Sequence, residues 1–428
     1  MAGLYAAGSP APGETGGMGD DRTLELVPTA MAAGGDALAR DGDGRVVFVA
    51  GALPGERVVV SLTQTQRDYA RGVAVEIVEA SSDRVTPACP SLALGCGGCT
   101  WQHVAPAAQP RLKAAIVVDA LRRIGRMAEP PEPQVVAVDG PALRTTARLA
   151  VTPTGRAGHR PRAPAPAGSA DAHPAAQAVE TDECLAVHPL LEELLVHGRY
   201  PPGEVVLRVG VASGERLVRV ARGPGPVQVP VGVRVVREGA KGAAYVHEEV
   251  ARRRFRVSAD SFFQPGPVAA AALVAAVSEA AGHTLGPGAH LVDAYAGTGL
   301  FGSVLGAASG ARVTAVESGR SAAADARVNL SDLDARVVAV EVGRWDARRS
   351  GRADLVVADP ARSGLGRPGV AALVAADAPR MVVVSCDPAS LARDALLLAG
   401  AGYRLTSVAL VNAFPHTFHI ESVARFER

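Results

Sequence analysis

The sequence predicts a protein of the α/β class: a C-terminal doubly wound parallel sheet, preceded by a small β-barrel and a central α+β region. Three observations carry that expectation. From about Val268 onward, helical and strand-like stretches alternate, the order that builds a parallel sheet. Three apolar runs there stop abruptly at residues able to do chemistry. Leu291-Val292-Asp293-Ala294 meets a glycine-rich turn, Leu355-Val356-Val357-Ala358 meets Asp359-Pro360-Ala361-Arg362, and Val382-Val383-Val384-Ser385 meets Cys386-Asp387-Pro388. Ligands of open α/β sheets bind outside the carboxyl ends of the strands, where all three endings fall. Upstream, residues 22–80 show short β-rich runs instead.

A chain of 428 residues exceeds what one hydrophobic core usually spans, so more than one domain is expected. The divisions read as a disordered tail (1–21), a barrel (22–80), a central region (81–266) and the doubly wound domain (267–428). Hydrophobic residues reach 48%, yet no apolar run is long enough to cross a bilayer. The first twenty residues lack the basic start and apolar core of a signal peptide. A cytoplasmic chain without a membrane partner is the expectation.

A net charge of +1 excludes little, but its distribution is uneven. A basic stretch runs from Arg111 through Lys113, Arg122, Arg123, Arg126, Arg144, Arg148, Arg156 and Arg160 to Arg162, and Arg252-Arg253-Arg254-Phe255-Arg256 is a second. Clustered arginine suits phosphate. In a chain whose only lysines are Lys113 and Lys241, an arginine-rich solvated face is the competing reading.

Within residues 22–80, Val46-Val47-Phe48-Val49, Arg57-Val58-Val59-Val60-Ser61-Leu62 and Arg71-Gly72-Val73-Ala74-Val75 read as strands, spaced as in a five-stranded barrel of the oligonucleotide-binding type. A helix is expected over about 107–124. Residues 163–178, rich in Ala, Pro and Gly, read as a loose surface insertion. Strands resume at Val205-Val206-Leu207-Arg208-Val209 and Arg216-Leu217-Val218-Arg219-Val220.

Cys89, Cys96 and Cys99 are spaced C-x6-C-x2-C with Gly95, Gly97 and Gly98 between them, and Cys184 returns from downstream. Four cysteines in a cytosolic chain bind metal more often than they form disulfides. Tetrahedral zinc and an iron–sulfur centre both fit four thiolates. Scattered buried thiols are the alternative that needs no metal.

The segment Asp293-Ala294-Tyr295-Ala296-Gly297-Thr298-Gly299 resembles a strand–loop–helix site for a nucleoside cofactor, since glycines let the backbone approach a ligand. The next strand ends at Glu317, placed to accept ribose hydroxyl hydrogen bonds. Leu300 and Phe301 open an apolar helix, which favours S-adenosylmethionine over a dinucleotide. Such a donor beside Cys386 points to covalent methyl transfer. C5 of a pyrimidine is a poor nucleophile until a thiolate adds to C6, and the C5 proton must then leave. The chemistry therefore needs a cysteine, a base and a methyl donor. Cys386 supplies the first, and Glu421, in Phe414-Pro415-His416-Thr417-Phe418-His419-Ile420-Glu421, is the candidate for the second.

Taken together and in order, these motifs resemble the RNA uracil-C5 methyltransferases that make 5-methyluridine, over nearly the whole chain. The likeness includes a TRAM-like barrel and Cys-x6-Cys-Gly-Gly-Cys followed by Gln102-His103. It continues through Ser258-Ala259-Asp260-Ser261-Phe262-Phe263-Gln264, the Asp359 turn, Ser385-Cys386-Asp387-Pro388 and the ending at Glu421. The resemblance implies a Rossmann-like methyltransferase domain using S-adenosylmethionine, held by Gln264, Tyr295, Glu317 and Asp359. It also implies Cys386 as nucleophile, Glu421 as the base, and a [4Fe–4S] cluster rather than zinc on Cys89, Cys96, Cys99 and Cys184. The partner would be an unstacked RNA loop, of rRNA rather than tRNA, held by the barrel and central region of a monomer. The chain departs from the family pattern where Phe-Phe-Gln-x-Asn becomes Phe262-Phe263-Gln264-Pro265-Gly266 and at Ala296, Leu300 and Leu143-Arg144-Thr145-Thr146. An RNA cytosine-C5 methyltransferase is the first alternative, disfavoured because Asp359-Pro360-Ala361 lacks the second cysteine. A non-catalytic RNA-binding relative is the other.

Overall fold

The computed structural model describes residues 23–138, 140, 143–161, 178–239 and 244–428. The tail expected over 1–21, the insertion over 163–178 (Ala178 apart), Arg162 and Lys241 lie outside the described residues. Among those described, no helix is long and apolar enough to cross a membrane.

The N-terminal unit comprises β1 (Thr23–Leu26), β2 (Ala30–Met31), β3 (Ala37–Arg40), β4 (Val46–Ala50), β5 (Arg57–Thr65) and β6 (Tyr69–Glu79), hydrogen-bonded in the order β1-β5-β6-β4-β3-β2. The sixth strand, beyond the five expected, is the two-residue β2, whose Ala-Met sequence carries no β-branched signal. Register shifts between β5 and β6 at Arg57/Val58, Val59/Val60 and Leu62/Gln64 bend the long hairpin. Gly72 sits at this bend because a Cβ there would lie 2.5 Å from Val60 Cγ1 and 2.7 Å from the Ser61 carbonyl oxygen.

Helix α1 (Gln109–Arg123), Pro-initiated at its first turn, and the short β7 (Gln134–Val136) follow. The central sheet is β8 (Thr146–Val151), β9 (Ala157–Gly158), β10 (Gly203–Val209), β11 (Arg216–Val220) and β12 (Val233–Arg237), ordered β12-β11-β10-β8-β9 and covered by α2 (Pro189–His197). A hairpin, β13 (Tyr245–Val250) with β14 (Arg253–Ser258), leads into the C-terminal part.

There α3 (Pro267–Ala281), β15 (His290–Ala294), α4 (Leu300–Ser309), β16 (Arg312–Val316), α5 (Arg320–Asn329) and β17 (Ala335–Val338) are followed by β18 (Leu355–Ala358), α6 (Gly366–Val374), β19 (Arg380–Ser385), α7 (Pro388–Gly400), β20 (Arg404–Val411) and β21 (Glu421–Glu427). The sheet order is β17-β16-β15-β18-β19-β21-β20-β7. β15 through β19 run parallel, and β21 inserts antiparallel between β19 and β20. Chain order reverses between β15 and β18, the switch point at which such sheets open a crevice.

Successive side chains of a strand point to opposite faces, and both faces are covered. Leu291, Val313, Leu355, Val357, Val382 and Val384 pack with α3 and α4. Val292, Val356, Met381 and Val383 join the other core, which runs through α6, α7 and α1 into barrel residues such as Leu26, Val47 and Val58. Burial on both sides accounts for the near-continuous apolar character of these strands. α1 and β7, which precede the central sheet in sequence, thus build onto the C-terminal sheet: α1 packs on α7 and β7 pairs in parallel with β20.

Candidate active site and cysteine pocket

Strand register gathers the candidate residues. The last paired residue of β15, Ala294, lies opposite Val316 of β16 and Ala358 of β18. One residue further along each parallel strand come Tyr295, Glu317 and Asp359, which therefore form one row across the switch point. On the other side, the antiparallel ladder of β19 and β21 ends with Ser385 opposite Ser422. One residue past that last pair come Cys386 after β19 and Glu421 at the start of β21. All five line one cavity of about 650 Å³, together with Gln264, Phe262, Gly297, Arg362 and His419.

Local geometry fixes each group. Glu317 Oε2 accepts the Gly297 N–H at 2.8 Å and Oε1 accepts the Gly319 N–H at 2.5 Å, tying the glycine-rich turn to the end of β16. Gly297 has φ 55°, and a Cβ built there meets nothing within 4 Å, so this backbone faces open cavity as a ligand cradle requires. Asp293, fully buried beneath the turn, accepts the Gly302 N–H at 2.7 Å, and burial pushes its carboxyl up to about 7. Tyr295 occupies the left-handed region at φ 58°, a strained conformation for a residue with a Cβ. Its hydroxyl reaches Gly369 of α6, where a Cβ would sit 2.6 Å away.

Gln264 Nε2 donates to Asp359 Oδ2 at 3.1 Å. The serines of its motif are structural: buried Asp325 of α5 accepts the Ser258 N–H at 2.8 Å, the Ser258 hydroxyl at 2.8 Å and the Ser261 hydroxyl at 2.6 Å. Buried Arg208 of β10 donates to the Ser258 and Ser261 carbonyls, both at 2.6 Å. The motif's departure at Gly266 also has a steric cause, because a Cβ there would collide with the Leu143 carbonyl.

Burial pushes the Cys386 thiol up to about 11, with the charge of Glu421 adding to the shift and Arg362 opposing it. Burial likewise raises Glu421 to about 8; Asp359 adds to this, while Arg362 and Lys113 oppose it. Asp359 is raised to about 7 by burial, against its bond from Gln264. Asp387 caps α7, its Oδ1 accepting the Ser390 N–H at 2.7 Å, so Cys386 is held between the end of β19 and a capped helix.

Cys89, Cys96, Cys99 and Cys184 line a second, small pocket with His159 and Gln102. His159 Nε2 is 4.0 Å from Cys184 Sγ, and a Cβ at Gly98 would lie 3.0 Å from the His159 ring, so a side chain there would crowd the ring where this loop closes. Among the described residues, no group of three or more His, Cys, Asp or Glu side chains is arranged to hold a single metal ion.

The basic runs are partly spent inside the fold. Arg148 pairs with Glu204, Arg156 with Asp182, Arg253 with Asp332 and Arg256 with Asp325. Arg144 donates to the Gly98 carbonyl at 2.8 Å, beside the cysteine pocket. Sequence reasoning counted Lys113 only within a basic run, quoted Arg208 and Arg362 without giving them a role, and passed over Asp325. Their isolated positions carry no spacing signal.

The TRAM domain model matches residues 29–75. An uncharacterized RNA methyltransferase of Streptomyces avermitilis is 34% identical over 448 aligned residues, covering 96% of this chain and 99% of its own. The 23S rRNA (uracil(1939)-C(5))-methyltransferase RlmD of Methylococcus capsulatus is 33% identical, over 92% of this chain and 96% of its own. In fold, the chain is similar to the Pyrococcus abyssi tRNA (uracil-54, C5)-methyltransferase in complex with S-adenosyl-L-homocysteine, with a TM-score of 0.70 at 23% identity over 94% and 99% of the two chains.

Proposed function

The chain belongs to the RNA methyltransferase family that includes uracil-C5 methyltransferases, and from that premise we propose that it methylates C5 of one uridine in RNA, with 23S rRNA favoured over tRNA. The observation that carries the reading is the convergence of Cys386 and Glu421, each one residue beyond the last β19–β21 pair, on the cavity that also holds the row Glu317, Tyr295 and Asp359.

S-adenosylmethionine, when bound, supplies an electrophilic sulfonium methyl. The open backbone at Gly297, the carboxylate of Glu317 and the Gln264–Asp359 pair fit a nucleoside and an amino-acid moiety in one crevice. The Cys386 thiolate adds to C6 of a uracil presented out of its stack. With the donor bound, C5 would take its methyl group as the sulfonium–methyl bond breaks to leave S-adenosylhomocysteine; Glu421 removes the C5 proton, the C5–C6 double bond re-forms and the C6–S bond breaks, returning the thiolate. Arg362 faces both Cys386 and Glu421, where its charge favours the thiolate and the carboxylate.

The four cysteines are assigned to a [4Fe–4S] cluster. What supports this is that all four thiols line one pocket and that the motif resembles the cluster-bearing branch of the family. Nothing in the uracil chemistry needs an electron, so the assigned role is structural.

The test is a methylation map of tRNA and rRNA from a strain lacking the gene, complemented with wild type or Cys386→Ala. One 5-methyluridine lost and restored only by wild type supports reaction, target and nucleophile together. If every 5-methyluridine persists, the uracil reading fails; a missing 5-methylcytidine would then select cytosine chemistry.

A further inference from the structure

Gln109 and Lys113 are one turn apart on α1, on the same face, and both are completely buried. Lysine is almost never fully buried unless paired, yet Lys113 Nζ donates to neutral oxygens: Asn412 Oδ1 at 2.8 Å and the Phe414 carbonyl at 2.9 Å. Gln109 Oε1 accepts the His416 N–H at 2.7 Å, and the Trp101 N–H donates to the His416 carbonyl at 2.8 Å. The strap between β20 and β21 is therefore pinned at 412, 414 and 416, and His416 is held at φ 62°, a left-handed conformation that needs such support. The strap runs directly into Glu421, the first residue of β21.

We propose that Lys113, with Gln109, is a positioning residue for the last chemical step: it fixes the strap that leads into Glu421, so that this carboxylate is set to take the C5 proton. The proposal rests on the covalent reading above. Replacing the ammonium by a hydrocarbon of similar size would pack equally well and spare the desolvation cost, so packing alone does not explain a lysine here. The charged and titratable groups facing Glu421 come from several elements: Asp359 after β18, Arg362 in the following turn, Cys386 after β19 and Lys113 from α1. Arg362 favours the ionised carboxylate and Asp359 opposes it, while burial pushes the Lys113 ammonium down to about 7, so its contribution here is the tether.

The experiment follows the covalent protein–RNA adduct in single turnover with Lys113→Met, on the transcript that the methylation map selects. A methylated adduct should accumulate and product release should slow about 10- to 100-fold. On the same transcript carrying 5-fluorouridine, where no C5 proton can leave, the adduct should form at the wild-type rate, and S-adenosylhomocysteine binding should not change. Release at the wild-type rate, or slow adduct formation on the fluorinated transcript, would overturn the proposal. If Lys113→Met does not fold, Asn412→Ala, which removes one tether from the strap side, must show the same accumulation for the proposal to stand. Cys386→Ala and Glu421→Gln run alongside. If the first still methylates, or the second clears its adduct normally, the covalent reading itself falls, whatever Lys113 does.

Discussion

Cys386 and Glu421 occupy a site that disfavours the charges their proposed roles require. With the thiol near 11 and the carboxyl near 8, both reacting forms are minor species in the free protein at neutral pH. Turnover should therefore rise with pH through about 8, since the proton-accepting form of Glu421 and the thiolate both gain there; a single-turnover profile from pH 6 to 9 checks this. Glu421→Gln should slow turnover by about 10²–10⁴-fold, the usual weight of a general base. The same substitution should stabilise the fold. A carboxyl raised from 4.5 to about 8 destabilises the native state once pH exceeds its unfolded value. Glu421→Gln should thus melt above wild type at pH 8, with the gap closing as pH falls towards 4.5, and no gap at pH 8 would argue against a buried charge. Cys386, Asp359 and Glu421 were legible because each ends or starts a strand within a motif. Lys113, Asp325 and Arg208 were not, because a buried polar residue is explained only by its partner, and theirs lie far along the chain.

Elements bring the site together through their ends. β19 must stop at Ser385 for Cys386 to enter the cavity, and the stop is made by Asp387 capping α7 with Pro388 in its first turn. Asp387→Ala should cost about 0.5–2 kcal/mol in denaturant unfolding and lower adduct formation while leaving S-adenosylhomocysteine binding intact. The cysteine segment acts through its neighbours as well. Trp101, two residues past Cys99, holds the His416 carbonyl through its backbone N–H and the Gly35 carbonyl, at 3.0 Å, through its indole. Phe418 packs on Gly35, where a Cβ would lie 2.7 Å from its side chain. If the cysteine pocket holds a structural cluster, Cys184→Ser should lose iron and sulfide together and lower the melting temperature. Zinc in the wild-type protein, with no sulfide, would return the assignment to a tetrahedral site. The C-x6-C-x2-C run announced a pocket. That its flank braces the strap before Glu421 was invisible until strand and loop were placed.

At the scale of the whole molecule, the barrel is not an appendage. Leu26, Val47 and Val58 share one apolar cluster with Leu121 of α1, Leu391 of α7 and Val292 of β15. A fragment beginning at residue 81 should therefore expose that cluster and aggregate on expression, whereas a tethered module would leave a soluble remainder that binds S-adenosylhomocysteine. The fold class was readable in the chain, because alternating helices and doubly buried strands leave a local periodic signature. The convergence of the candidate reacting groups on one cavity was readable too, because strand ends of a parallel sheet meet at one edge. Tertiary structure alone decided that α1 and β7 join the C-terminal sheet across the intervening central region, and that β21 inserts between β19 and β20. It also decided which buried polar residues hold the strap before Glu421. Those outcomes depend on pairings between segments distant in the chain, whose energies come from packing and desolvated hydrogen bonds that no local pattern of residues encodes.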